Sequence, residues 1–282
     1  MDSNDILRVL RHQRDNGVDG SVYKLAQCEF AYNSNHMEGS RLTHDQTRTI
    51  FEHGIVSGNG VLVDDILEAQ NHFRAFDFLL DNVGTELDDE FLFKLQGMLK
   101  EGTRDSRNPI MSVGSYKIAE NMIGDFTLTA SPEEVPAKMA DLLSRYYAKQ
   151  ERSFDDLLDF HAKFEKVHPF SDGNGRVGRL VLFKECLAND ILPFIITDDL
   201  KQFYIRGLQN WEHEKGYLRD TCLTAQDRFE AKYVPLAESY AKALDKLSER
   251  QPFEKVMKDK QQEVGFANEA KFHEEIHQDP NR

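Results

Sequence analysis

The sequence predicts an all-α protein, and two observations lead to that prediction. Apolar residues recur every three or four positions through most of the chain, as at Leu157, Phe160, Phe164 and Val167, which is the spacing of a buried helix face. Residues typical of helix ends, such as Ser153 before an acidic turn, stand where these patterns begin. We therefore expect helices packed on helices around one core.

The first half of the chain predicts four helices with recognisable ends. Gly39 is a good C-terminal cap for the first helix, and Thr43 matches a capping box at the start of the second. Asp64 or Asp65 can cap the third helix, and Leu87 precedes an acidic start for the fourth. These helices are expected over residues 21–37, 43–53, 64–80 and 87–100.

Residues 101–130 break the helical pattern, because glycines, Asn108 and Pro109 punctuate them. Within this stretch, Ser115–Ile123 is predicted to form a short β-hairpin. Ser131 opens the next predicted helix, and Ser153 opens another that must end at His168 because Pro169 follows. Further helices are expected near 175–189, 199–212 and 217–247, and the charged tail from about 250 is expected to fray or to pack loosely.

The chain of 282 residues is long enough for one large domain with an added helical layer. We divide it into an N-terminal layer over 1–60, a core over 61–215, and C-terminal helices with a charged tail over 216–282.

Composition narrows the classes of partner. A net charge of −14 disfavours nucleic acid and anionic membranes as main partners. Cys28, Cys186 and Cys222 are far apart and odd in number, so we expect buried, reduced thiols. No apolar run is long enough to span a membrane, and the N-terminus lacks a secretion signal, so a cytoplasmic protein is expected.

Residues 168–179 read HPFSDGNGRVGR and combine several groups that suit phosphate chemistry. Asn174 lies between Gly173 and Gly175, a turn that can direct backbone N–H groups at an anion before a helix N-terminus. The two arginines of the next turn lie on the same side and can each grip phosphate oxygens. Asp172 is suited to Mg²⁺, and His168 is a base with a pKa near neutrality. The set indicates phosphoryl-type transfer on a nucleotide.

Two other interpretations use the same segment. The Gly-Asn-Gly turn can be only a turn between helices, with its arginines in surface ion pairs. Alternatively, His161, Glu165 and His168 share one helix face and can ligate a metal. Pro169 and the apolar neighbours of His161 weaken that second interpretation.

HPFSDGNGRVGR resembles the Fic family motif at every defined position, and the similarity extends over about residues 60–215. The resemblance is to the adenylylating branch, in which AMP passes from ATP to a Ser, Thr or Tyr hydroxyl of a target protein. It implies a Fic-type helical bundle with a short hairpin flap and an N-terminal inhibitory helix. Self-modification and a homodimer are implied by resemblance only.

The resemblance also implies a role for each residue of the loop. His168 would deprotonate the target hydroxyl, and Asp172 would hold Mg²⁺ on the α- and β-phosphates. Asn174 and the backbone of Gly173–Gly175 would cradle these phosphates, while Arg176 would pair with the β-phosphate and Arg179 with the γ-phosphate.

The segment Ser115–Ile123 resembles the flap of the family, which pairs with an extended stretch of the target. Within this segment Tyr116, Lys117 and Ile118 are the expected docking residues.

An inhibitory motif is also suggested, since Ser34-Asn-His-Met-Glu38-Gly39 resembles the Fic pattern [S/T]xxxE[G/N]. Glu38 would pair with Arg179 in the place of the γ-phosphate, and Ser34 would steady it from one turn earlier. In some members the same glutamate assists removal of AMP, and the sequence leaves that activity open here. Without the Fic motif, Ser34 and Glu38 would be ordinary helix-surface residues.

Two hypotheses from other classes stay open. The chain can be a helical module that senses ATP without turnover, or a DNA-binding regulator. Residues 217–282 show no basic recognition helix, which weighs against the second.

Overall fold

The computed structural model describes residues 1–56, 58, 60–123 and 127–277, and within them regular structure is almost entirely helical. The α-helices of the described residues are, in chain order, α1 Ser3–Asp15, α2 Val22–Met37, α3 His44–His53, α4 Val63–Asp81, α5 Asp89–Lys100, α6 Val135–Tyr147, α7 Phe154–Val167, α8 Asn174–Ala188, α9 Lys201–Asn210 and α10 Gly216–His277. The all-α prediction is confirmed.

The chain separates into two compact units, Met1–Leu236 and Ala237–Arg282. Helices α1 to α9 and the first part of α10 belong to the first unit. Our division at residues 60 and 215 stays a prediction. No helix among the described residues has the length and apolar character needed to cross a membrane.

Most helix ends follow the local signals. The capping box of Thr43 with Gln46 is present at the start of α3, and Ser153 with Asp156 forms another at the start of α7. The capping role of Asp64 or Asp65 was a wrong prediction, because Leu62 is the N-cap and both aspartates lie in the first turn of α4.

Helix α6 starts four residues after Ser131, at Val135. A turn precedes it, in which the N–H of Val135 donates to the carbonyl of Ser131 at 3.2 Å. The next residue is Pro136, which has no N–H to continue the ladder, so the regular helix begins late.

The two ends of the chain also differ from expectation. Helix α1, which we did not predict, is capped by the Asp2 side chain and buries Ile6, Val9 and Leu10. Helix α10 continues to His277, so the backbone from 250 to 277 is helical rather than frayed, and the loose packing expected of the tail stays a prediction.

A two-stranded antiparallel ribbon lies between α5 and α6. Its strands are β1, Met122–Ile123, and β2, Thr127–Leu128, with Met122 opposite Leu128. The hairpin therefore comes later than the predicted Ser115–Ile123, and residues 124–126 lie outside the described part. Residues 115–121 are irregular instead, and two of them, Lys117 and Asn121, donate hydrogen bonds to the loop after α7.

Helix α8 is the centre of the core and contacts α1, α2, α4, α5 and α7. Nearly all of its residues are buried, which is expected of a helix surrounded by others. Phe183 of α8 packs against Phe30 of α2 and Phe76 of α4, with ring centroids 5.4 and 5.3 Å away. All three cysteines are free and buried, as predicted. The loop before α8 is thus attached to the buried central helix of the first unit.

Candidate active site

The loop between α7 and α8 begins at a left-handed histidine. His168 caps α7 with φ 53° and ψ 62°, and its N–H donates to the carbonyl of Phe164 at 3.0 Å. The following Pro169 makes a helical conformation at His168 unfavourable, so the helix ends there as predicted. The His168 side chain is thereby placed at the mouth of the loop.

The ring of Phe170 is completely buried, and two carboxamides hold its backbone. Asn174 Oδ1 accepts from the Phe170 N–H and Asn174 Nδ2 donates to the Phe170 carbonyl, both at 2.8 Å. Asn121 Nδ2 donates to the same carbonyl at 2.9 Å. Asn174 was expected to cradle phosphate, but its side chain is occupied in fixing the loop. The backbone N–H groups of the loop stay available in this arrangement, and the role of Asn174 in a phosphate cradle stays a prediction.

The glycines on either side of Asn174 are needed for different reasons. Gly173 is the N-cap of α8 with φ 84°, a conformation that favours glycine, and no side chain caps this helix end. The first N–H groups of α8 therefore have no partner within the helix. Gly175 leaves room for other groups, because a Cβ there would stand 2.3 Å from Glu38 Oε1 and 2.8 Å from Arg179 Nη1.

Arg176 is buried between two carboxylates. Its Nη1 lies 2.8 Å from Glu68 Oε2, and its Nη2 lies 2.9 Å from Asp172 Oδ2. Burial lowers the pKa of Arg176, but the two carboxylates outweigh burial and raise that pKa above its usual value. Arg176 is thus a fixed positive charge beneath the loop.

Arg179, one turn further along α8, is buried and contacts the end of α2. Its Nε donates to Ser34 Oγ at 3.0 Å, and its Nη2 donates to the Ser34 carbonyl at 2.9 Å. Nη2 also donates to Glu38 Oε1 at 2.6 Å. Burial raises the pKa of Glu38, but Arg179 and then Arg176 outweigh it and lower that pKa, so Glu38 is ionised. The structure brings Ser34 and Glu38 together with Arg179, which lies more than 140 positions later in the sequence.

Asp172 faces both solvent and an unpredicted lysine. Lys100 Nζ lies 2.5 Å from Asp172 Oδ2, and the Asp172 side chain is 40% exposed. Burial raises the pKa of Asp172, but Arg176 and Lys100 outweigh it and lower that pKa to about 2. Gln96 Nε2 donates to the Asp172 carbonyl at 3.1 Å, which fixes the loop backbone. No signal in the sequence pointed to Lys100, which looked like an ordinary cation in the last turn of a helix.

The environment of His168 favours its neutral form. Burial lowers its pKa, the carbonyl of Glu165 raises it, and Lys117 lowers it, so that the pKa of His168 is below its ordinary value of 6.5. His168 Nδ1 lies 3.4 Å from that carbonyl, which can only accept, so Nδ1 carries the hydrogen. Nε2 is then unprotonated and suited to accept a proton.

The structure does not support a metal site on α7. His161 Nε2 is hydrogen-bonded to Tyr204 Oη at 2.7 Å, and burial lowers the pKa of His161 to about 3. Glu165 is buried, which raises its pKa to about 8 and keeps it protonated at neutral pH. Among the side chains that the structure describes, no three of His, Cys, Asp or Glu are grouped so as to hold a metal.

The three expected docking residues have different surroundings. Ile118 is 65% exposed, whereas Lys117 is buried with its Nζ held by Asn121 Oδ1 and Thr129 Oγ1, both at 2.6 Å. The Lys117 N–H donates to the carbonyl of Pro169 at 2.9 Å. Tyr116 is half-buried, packs on Phe93 and bonds to Asp89. Lys117 therefore holds the loop after α7 and cannot offer its N–H or its side chain to a partner.

Residues 86–185 match the model of the Fic/DOC family. Protein adenylyltransferase fic-1 from Caenorhabditis elegans and its counterpart from Caenorhabditis briggsae are each 27% identical to this chain over 184 residues. That match covers 64% of this chain but spans only about a third, 35%, of the length of these curated relatives.

Solved structures share the fold. A Fic domain containing signaling protein from Bacteroides thetaiotaomicron has a TM-score of 0.60 and 22% identity, covering 84% of this chain and 91% of its own. Fic-1 from Caenorhabditis elegans has a TM-score of 0.63 and 21% identity, covering 83% of this chain and 71% of its own. The matched segment contains the whole loop from His168 to Arg179, so residues 86–185 match as a Fic/DOC domain, and the fold is that of solved Fic proteins.

Proposed function

We propose that this chain is a protein adenylyltransferase that moves AMP from ATP onto a hydroxyl of a target protein. The observation that carries the proposal is the loop itself. It combines a neutral His168, the uncapped start of α8 and the buried Arg176 within nine residues. Relatives named protein adenylyltransferase support the same reaction at the level of the family.

In this proposal the open N–H groups at the start of α8 bind the α- and β-phosphates, and Arg176 attracts the β-phosphate. Nε2 of His168 takes the proton of the target hydroxyl, whose oxygen then attacks the α-phosphorus. The bond to the β-phosphate oxygen breaks, pyrophosphate leaves, and AMP stays on the target oxygen. The target is a protein whose identity is open, and the chain itself is one candidate.

Asp172 is the residue that would hold Mg²⁺. A single, partly exposed carboxylate fits a cation that takes its other ligands from phosphates and water. When bound, Mg²⁺ supplies positive charge next to the phosphates. The chain's own cations do the rest of the neutralisation in this proposal.

The finer part of the proposal is a brake in the class with an N-terminal inhibitory helix. The carboxylate of Glu38 forms an ion pair with the guanidinium of Arg179, the group that would otherwise bind the γ-phosphate. ATP then binds with its phosphates misplaced, and transfer is slow until Glu38 leaves.

The test compares wild type, Glu38→Gly and Glu38→Gly/His168→Ala after incubation with ATP and Mg²⁺, with intact mass as the readout. We expect Glu38→Gly to gain AMP units, wild type to gain few, and the double variant to gain none. A lysate with labelled ATP serves as a second source of targets. Equal gains by the double variant and Glu38→Gly would show that His168 is not the base.

A further inference from the structure

Lys100, the last residue of α5, is buried and carries its charge among three carboxylates. Its Nζ lies 2.5 Å from Asp172 Oδ2, 2.6 Å from Glu68 Oε1 and 2.7 Å from Asp105 Oδ2. Three carboxylate oxygens within 2.7 Å are the surroundings of a protonated lysine, which offers three donors and no acceptor. The side chain is therefore an ammonium ion inside the candidate site.

The contacts of Lys100 close a ring of alternating charges. Asp172 Oδ2 accepts from Lys100 on one side and from Arg176 Nη2, at 2.9 Å, on the other. Glu68 repeats this bridge, with Oε1 on Lys100 and Oε2 on Arg176. Asp172 and Glu68 thus each join the same two cations. Such a ring fixes the direction of Asp172 without any metal.

An ammonium ion and a divalent cation cannot share one carboxylate oxygen without cost. Mg²⁺ requires its oxygen ligands at about 2.0–2.1 Å, and Asp172 Oδ2 already holds Lys100 Nζ and Arg176 Nη2. A divalent cation on Asp172 must therefore displace Lys100 or bind beside a positive charge that repels it.

We propose that Lys100 is a positioning residue that takes the place of the divalent cation at Asp172, so that metal loading exchanges one cation for the other. The inference rests on the proposed function, because that function makes Asp172 the metal residue. Lys100 keeps the carboxylate aimed at the loop while no metal is bound, and its charge also attracts the triphosphate. Losing Lys100 therefore strengthens metal binding and weakens metal-free ATP binding.

The test measures Mn²⁺ binding to the nucleotide-free chain by electron paramagnetic resonance, and ATP binding in EDTA by calorimetry. We expect Lys100→Met to bind Mn²⁺ about tenfold more tightly, equivalent to 1.4 kcal/mol, and to bind metal-free ATP several-fold more weakly. Lys184→Met is the matched control, since Lys184 is also buried and pairs with Glu185 at 2.6 Å on the core helix. The control should leave both affinities unchanged.

Lys100→Gln provides a second variant of similar shape if Lys100→Met does not fold, and Asp172→Asn should abolish the tightened Mn²⁺ site. Unchanged or weaker Mn²⁺ binding by a folded Lys100 variant would overturn the inference, because a purely structural lysine would give that result. Tighter Mn²⁺ binding without any His168-dependent AMP transfer would uphold the inference and reject the proposed function.

Discussion

The replacement of Glu38 by Gly tests how strongly the end of α2 restrains Arg179. The side chains are in contact at 2.6 Å, with Arg179 5% and Glu38 33% exposed. A hydrogen bond to a charged group contributes about 1.5–3 kcal/mol, and solvent at Glu38 favours the lower end. Since 1.4 kcal/mol is a factor of ten, we expect the rate of AMP transfer to rise about tenfold.

The assay is the initial rate of AMP incorporation, with Ser34→Ala and Glu101→Gly beside it. Ser34→Ala should raise the rate less, because it removes a single neutral acceptor, Oγ, and leaves the carbonyl bond to Arg179 intact. Glu101→Gly is the matched control, since Glu101 is also a helix C-cap paired with an arginine, Arg74, but at an exposed site. A Glu38→Gly rate within twofold of wild type, with His168-dependent transfer measurable, would refute the reasoning.

The same variant has a second signature in stability. Removing Glu38 leaves Arg179 buried without its carboxylate, which costs on the order of 3 kcal/mol. Triphosphate can supply the missing negative charge. Without nucleotide, Glu38→Gly should therefore unfold at a lower temperature than wild type. ATP should raise the Tm of Glu38→Gly by more than it raises the Tm of wild type.

Three further predictions concern protonation and packing. The pKa of His168 is lowered, so the acid limb of the Glu38→Gly rate profile should have its midpoint below pH 6.5, and a midpoint at or above 6.5 would contradict this. The pKa of Glu165 is about 8 in the folded chain against 4.5 ordinarily, so ionisation opposes folding as pH rises between those values. The free energy of unfolding of Glu165→Gln, relative to that of wild type, should thus rise by a few kcal/mol from pH 5 to pH 8, as measured by denaturant titration at each pH. A difference between the two proteins that does not change with pH would contradict this prediction. Gly207→Ala should destabilise the fold by about 1–3 kcal/mol in a thermal melt, because its Cβ would lie 2.6 Å from the backbone of Leu218. Gly84→Ala, with open space around it, is the control, and equal melting of the two variants would disprove the packing argument.

Local signals made the helices and the loop predictable. Capping at Thr43 and Ser153 depends on residues three positions apart, and the end of α7 depends on the neighbouring Pro169. The pair between Glu38 and Arg179 joins distant segments, and it could be anticipated only through a resemblance to known motifs. Geometry was therefore predictable where its cause is within one turn of chain.

Other features depend on packing between distant segments, which one sequence does not reveal. Lys100 and Asp172 are 72 positions apart, and their pairing follows from the way α5 packs on α8. The carboxamide of Asn174 has the right chemistry to bind phosphate, but in the structure it is hydrogen-bonded to the backbone of Phe170. The hairpin lies later than predicted because Lys117 bonds to the loop at Pro169.

Both residues that hold Arg179 from α2 belong to the final turn of that helix. Ser34 is in that turn and Glu38 is its C-cap. Helix ends open locally at lower free energy than the core, so the two can detach together by fraying of one turn without any domain movement. In our proposal the enzyme is then controlled by a small local melting equilibrium. Mild warming or a low concentration of urea would accelerate AMP transfer before it unfolds the chain, and amide hydrogens of this turn would exchange early.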